Sequence, residues 1–205
     1  ASERLAQRPP RAAEPGAAQN RREARNRTTE ESEQPRDPAY EQFGIYAKTA
    51  PRPEAIEPVA TDLPLEFRDG DRIALIGNTL FEREQLFGHL ETLLQQRYPG
   101  RNLTFRNLAW AADAIDLQPR PDNFADIEQH LRHERADVVL AAFGFNESFA
   151  GPDGLPAFRE KLRAYVRRLK SQSYNGRTAP RIVLVSPIAN ENISAASGAE
   201  STLLP

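Results

Sequence analysis

From Asp69 onward the apolar residues follow two periods in turn. Arg72-Ile-Ala-Leu-Ile-Gly77 is a short apolar run closed by Gly, the pattern of a strand buried on both faces. Leu86, Phe87, Leu90, Leu93, Leu94 and Tyr98 then recur at helical spacing, and Pro99-Gly100 ends that helix. Asn102 to Trp110 predicts a second strand, followed by a loop that carries Pro119 and Pro121. Asp126 to Arg135 predicts a short helix with Ile127 and Leu131 inward. Asp137-Val-Val-Leu-Ala-Ala-Phe143 predicts a third strand. A helix over Pro156 to Ser171 takes its apolar stripe from Leu155, Phe158, Leu162, Tyr165, Val166 and Leu169. After a turn at Tyr174-Asn-Gly-Arg177, the run from Arg181 to Ser186 predicts a fourth strand. From Ser194 the sequence is small and polar.

Strands alternate with helices, and strands one, three and four are apolar throughout. Such a pattern predicts a parallel sheet covered on both faces by helices, a three-layer α/β/α sandwich. In open sheets of this kind ligands bind at the carboxyl ends of the strands. The loops after Ile76, Leu108, Phe143 and Val185 are therefore the places where chemistry is expected.

The 205 residues divide by composition. Residues 1–40 mix Arg, Glu, Pro and Ala with only two large apolar residues, Leu5 and Tyr40. That segment cannot bury enough apolar area to offset its conformational entropy, so it reads as a disordered mixed-charge tail. Residues 41–68 read as an extended linker punctuated by Pro51, Pro53, Pro58 and Pro64, of the kind that drapes over a domain. Residues 69–205 read as the α/β domain. A net charge of −2 argues against a dedicated nucleic-acid binder. No apolar run is long enough to predict a membrane span. No apolar signal segment follows Ala1, and with no Met in the sequence the chain is expected to have lost its start. The absence of Cys excludes disulfides, thiolate catalysis and Cys-ligated metal centres. Without a Walker loop or Gly-x-Gly-x-x-Gly, no nucleotide cofactor is expected. His130 and His133, with Glu134, share one short helix. A metal there would need ligands from elsewhere, and an exposed helix face is the simpler reading.

The strand ends carry small and neutral polar residues: Gly77-Asn78-Thr79-Leu80, Ala109-Trp110-Ala111-Ala112-Asp113, Gly144-Phe145-Asn146-Glu147-Ser148, and Ser186 to Asn192. Asn side chains and backbone N–H groups that converge on one point make an oxyanion hole. A hydroxyl at Thr79 would stand at a helix N-terminus, where developing negative charge is favoured. The order Gly-Asn-Thr-Leu, Arg-Asn-Leu-Ala-Trp, Gly-Phe-Asn-Glu-Ser resembles the SGNH (GDSL) hydrolase superfamily over about residues 69–192. The resemblance implies the flavodoxin-like SGNH fold and ester hydrolysis of the acyl or carbohydrate-ester type. By position it puts Thr79 at the nucleophile, the backbone N–H of Ala109 in the oxyanion hole, and the side chain of Asn146 beside it. Asn78, Trp110, Glu147 and Asn190 stand at the same strand ends and are the candidates to contact substrate. Trp110 fits a substrate pocket and a core position equally, and Asp113 fits a sugar hydroxyl or a loop cap. The blocks also resemble a subgroup found in large secreted proteins, so a secreted or periplasmic site is expected.

The pattern departs at its end. The family's Asp-x-x-His, which carries the base, occurs nowhere in the sequence, and the last His is His133. The chain is therefore expected to stop before the last strand, the closing helix and the base. A fragment, a degenerate domain and a domain completed by a protein partner or a missing C-terminal segment all fit. Two functions follow. One is an ester hydrolase, slow or inactive as the chain stands, acting on a small-molecule or glycan ester with neither metal nor cofactor. The other is a non-catalytic binding or assembly module of a larger secreted protein. A third reading, partner binding through the Arg21, Arg22, Arg25, Arg27 cluster of the tail, competes with a simply solvated tail.

Overall fold

The apolar runs Ile73 to Ile76 and Val138 to Ala142 form the two strands at the centre of the sheet. The computed structural model describes residues 44–188. The readings of residues 1–40, of Asn190 and of the stretch from Ser194 lie outside the described residues. In chain order the elements are β1 (Glu54–Ala55), β2 (Arg72–Gly77), α1 (Thr79–Phe87), α2 (His89–Arg97) and β3 (Thr104–Asn107). They continue with α3 (Ile127–His133), β4 (Val138–Ala142), α4 (Phe145–Ser148), α5 (Leu155–Lys170), β5 (Gln172–Ser173) and β6 (Arg181–Leu184). The main sheet has the order β3-β2-β4-β6, and all its pairs are parallel. The chain thus steps from β2 outward to β3, returns to β4 and goes on to β6. The strand order reverses between β2 and β4, whose carboxyl ends are Gly77 and Ala142.

Alternate residues of β2 and β4 face two separate cores. Ile73, Leu75, Val138 and Leu140 pack with Phe81 of α1 and with Leu90 and Leu94 of α2. Ala74, Ile76, Val139 and Ala141 pack with Ile127 and Leu131 of α3 and with Tyr165 and Leu169 of α5. Each large side chain buried this way contributes roughly 1.5–3 kcal/mol, and Ile73 to Ile76 and Val138 to Ala142 carry no polar side chain. At the amino ends of the strands, Arg181 pairs with Asp71, and Asp137 accepts from the backbone N–H of Arg72 at 3.0 Å.

One expectation changes, and two further segments are placed more closely. The helix read across Leu86 to Tyr98 is two helices, broken at Gly88, which adopts left-handed φ of 62°. The break shifts the helical phase, so Leu86, Phe87 and Leu93 are exposed while Leu90, Leu94 and Tyr98 pack inward. Among the described residues the fourth strand is an edge strand and only half-buried, with Leu184 50% exposed. The stretch read as a linker contributes structure of its own. β1 pairs antiparallel with β5, Gln129 donates to the carbonyls of Ala47 and Ala50, and Phe67 is buried in the core.

The helix from Asp126 begins with a capping box formed with Gln129. His130, expected on an exposed face, is instead half-buried against Phe124, with ring centroids 5.0 Å apart. Its Nε2 is buried without a hydrogen-bond partner. Burial first, then the nearby Arg120 and His133, lower its pKa from the ordinary 6.5, and Asp126 and Glu134 oppose this more weakly. The unfolded chain therefore takes a proton at His130 more readily than the folded one. Stability is full above a pH of about 6.5 and falls as pH drops from there through the lower folded value. Thermal melts at about pH 7 and about pH 5 are expected to show a smaller acid loss of Tm in His130→Phe than in the parent. Equal losses would contradict the assignment.

Candidate functional site

The turn from β2 into α1 passes against the backbone of β4. Gly77 has φ of 130°, and a Cβ there would stand 2.1 Å from the carbonyl oxygen of Ala142. Only Gly permits both the dihedral and the contact. The next amide, Asn78, donates to that same oxygen at 3.2 Å, and the Trp110 N–H donates to the Gly77 carbonyl at 3.1 Å. Three strand ends are thereby laced together, and α1 starts at Thr79. Asn78 occupies the cap position, yet its side chain makes no capping bond. It is 2% exposed, and its Nδ2 has no partner among the described residues. Thr79 is half-buried, and its hydroxyl has no hydrogen-bond partner among the described residues.

Both residues line a cavity of about 180 Å³. One wall is Asn78, Thr79, Leu80 and Arg83 from the start of α1, and the other includes Ala142, Phe143 and Phe145. Pro187 and Ile188, after β6, complete it. This is the point where the strand order reverses, the usual ligand position in such sheets. The cavity is smaller than the ~300 Å³ at which sites for drug-sized ligands begin, so it suits a small group. Larger surface grooves, about 560 Å³ beside β1 and β5 and about 490 Å³ along α2, lie away from the strand ends.

The other predicted residues stand at neighbouring strand ends but spend their polar groups on the protein itself. Ala109 is buried, and its N–H donates to Asn107 Oδ1 at 3.1 Å. Asn107 in turn donates to the Phe81 carbonyl at 2.6 Å, which fixes the end of β3 to α1. Asn146 Nδ2 donates to the carbonyls of Ala111 at 3.0 Å and Asp113 at 2.8 Å, using both its hydrogens. The two carboxylate oxygens of Glu147 accept from Ile115 N–H at 2.6 Å and Gly144 N–H at 2.9 Å. Asn146 and Glu147 therefore bind the loop after β3 to the loop after β4.

Trp110 lies neither in the core nor in the cavity lining. It is 41% exposed, with the Arg120 guanidinium carbon 4.3 Å from its ring centroid and Phe124 beside it. Asp113, read as a sugar ligand or a loop cap, is a buried carboxylate gripped by Arg120 at 2.6 and 2.7 Å. Sequence reasoning missed Arg83. Its signal was the i,i+4 spacing from Thr79, which puts the two on one helix face. Phe143 and Phe145 were missed as cavity walls because strand-end aromatics read first as core.

Among the described residues no cluster of three or more His, Asp or Glu side chains is arranged to hold a metal ion. Nor is any described helix long and apolar enough to cross a membrane. No family model matches the chain, and no curated protein matches it. Fold and site together define an α/β protein with a parallel four-stranded sheet, carrying a small cavity where its strand order reverses.

Proposed function

We propose that this is an SGNH-hydrolase-like domain whose Thr79 cavity receives an ester. One observation carries the reading: the Thr79 hydroxyl has no partner among the described residues, opens α1, and lines the cavity at the strand-order reversal. A helix N-terminus favours the negative charge that develops as a carbonyl is attacked. The blocks around Thr79, Ala109 and Asn146, in SGNH order at successive strand ends, support it as well.

In the reaction the Thr79 oxygen attacks the ester carbonyl, and the carbonyl π electrons move to its oxygen. Collapse of this intermediate expels the alcohol, which takes up the Thr79 proton, and leaves an acyl-threonine that water hydrolyses. No His lines the cavity among the described residues, and both oxygens of Glu147 are taken up by backbone amides. The hydroxyl therefore stays protonated and attack is slow. With 4-nitrophenyl butyrate, turnover by the full chain is expected to be weak and to fall to the protein-free rate in Thr79→Ala. Thr79→Ser is expected to keep it. An unchanged rate in Thr79→Ala would remove the assignment.

A second reading is favoured by the bonds of Ala109 and Asn146, whose donors hold loops together rather than face the cavity. In it the domain binds its ligand without turning it over, as a module of a larger protein. It predicts no hydrolysis by the parent chain, with ligand-induced amide shifts at Asn78 and Thr79.

A further inference from the structure

Among the described residues, no acidic side chain lines the Thr79 cavity, and one cation does, Arg83. Long helical side chains lean back toward the helix N-terminus, over the residue four positions earlier. For Arg83 that residue is Thr79. The guanidinium is exposed, and no carboxylate of the described residues forms an ion pair with it. Two further positive features meet it there. One is the N-terminal end of α1, a nine-residue helix whose first N–H groups have no intrahelical acceptor. The other is Asn78 Nδ2, a buried donor without a partner among the described residues. A buried orphan donor is costly unless something accepts from it, so it points to a ligand oxygen. The remaining wall, with Phe143 and Phe145, is apolar.

We infer that the cavity is selective for small acidic ligands. Their apolar body packs on Phe143 and Phe145, and a carboxylate is held between the start of α1 and Arg83. The inference rests on the Thr79 cavity being the working site. Joined to the proposed chemistry, it makes the substrate an ester with an anionic group within about one helical turn, roughly 6 Å, of the reacting carbonyl. A hemiester of a dicarboxylic acid is the simplest such compound. A neutral ester of the same length would lack the Arg83 contact.

The test is binding, read independently of turnover. The full chain is titrated with butyrate, with neutral butyramide and with succinate, and the amide resonances of Thr79 and Leu80 are followed by NMR. The acids are expected to shift both amides, and butyramide to bind at least tenfold more weakly than butyrate. Arg83→Gln is expected to raise the Kd of the acids about tenfold and leave butyramide unchanged. Arg83→Lys should recover part of the loss, since charge returns without the guanidinium fork. Equal affinity for butyrate and butyramide, or acid binding unchanged in Arg83→Gln, would overturn the inference. Neither result touches the hydrolase reading, which stands or falls on Thr79→Ala. Conversely, a chain that never turns over an ester but binds acids through Arg83 refutes the hydrolase reading and upholds this one.

Discussion

Gly77→Ala is expected to lower stability by about 3–5 kcal/mol or to prevent folding. Two costs combine. A residue with a Cβ is strained at φ of 130°, and the new methyl would lie 2.1 Å from the Ala142 carbonyl oxygen. Relief would require β2 to part from β4, which are the two central strands and carry both cores. Gly88→Ala is the control. Gly88 also has a positive φ, of 62°, but no atom lies within 4 Å of the added methyl, so about 1 kcal/mol is expected. Urea unfolding followed by circular dichroism measures both. If Gly77→Ala cost no more than Gly88→Ala, the close approach of the two strands would be wrong.

Arg120→Ala is expected to cost about 3–5 kcal/mol, because it strands a buried carboxylate. The Asp113 side chain is 2% exposed, and Arg120 is the side chain that neutralises it. Exposed ion pairs such as Arg163–Glu160 would be worth well under 1 kcal/mol by the same reasoning. Replacing both partners by apolar side chains, as in Asp113→Leu with Arg120→Met, is expected to recover most of the loss. A double-mutant cycle measures the coupling directly. A coupling below about 1 kcal/mol would mean that Asp113 finds water or another donor once Arg120 is gone. The pair also matters to the site, since Asp113 offers its carbonyl to Asn146 and Arg120 covers Trp110.

The central strands were legible because burial on both faces leaves no polar position. Ile73 to Ile76 and Val138 to Ala142 announce themselves as unbroken apolar runs. β6 carries the same kind of run at the edge of the described sheet. Ile182-Val-Leu-Val185 looks like a central strand, but which neighbours a strand finds is not written in its own residues. Gly88 was equally opaque. A Gly within a helical pattern fits a continuous helix, and only a backbone turned left-handed shows that the phase has jumped. For the site, the strand-end rule led to Asn78 and Thr79, and the structure joins them in one cavity. What it could not supply is the fate of individual donors. Whether Asn146 Nδ2 faces a ligand or the carbonyls of Ala111 and Asp113 depends on where a neighbouring loop runs. Arg83 was hidden for a different reason: an Arg on an amphipathic helix normally signals a solvated face.

The unpartnered Thr79 hydroxyl has a consequence for how such a protein changes under mutational drift. No described side chain or backbone group depends on that oxygen, so the fold places no demand on keeping it. Gly77, Asp113 and Glu147 are different, because loops and strands are fastened through them. Under the proposed chemistry, chance substitutions therefore fall unevenly: reactivity would be lost at Thr79 while the cavity keeps its shape, whereas the reverse order is closed off by instability. If the proposed hydrolysis holds, a lineage on this scaffold can pass from converting its ligand to merely holding it in a single step, without first becoming unstable.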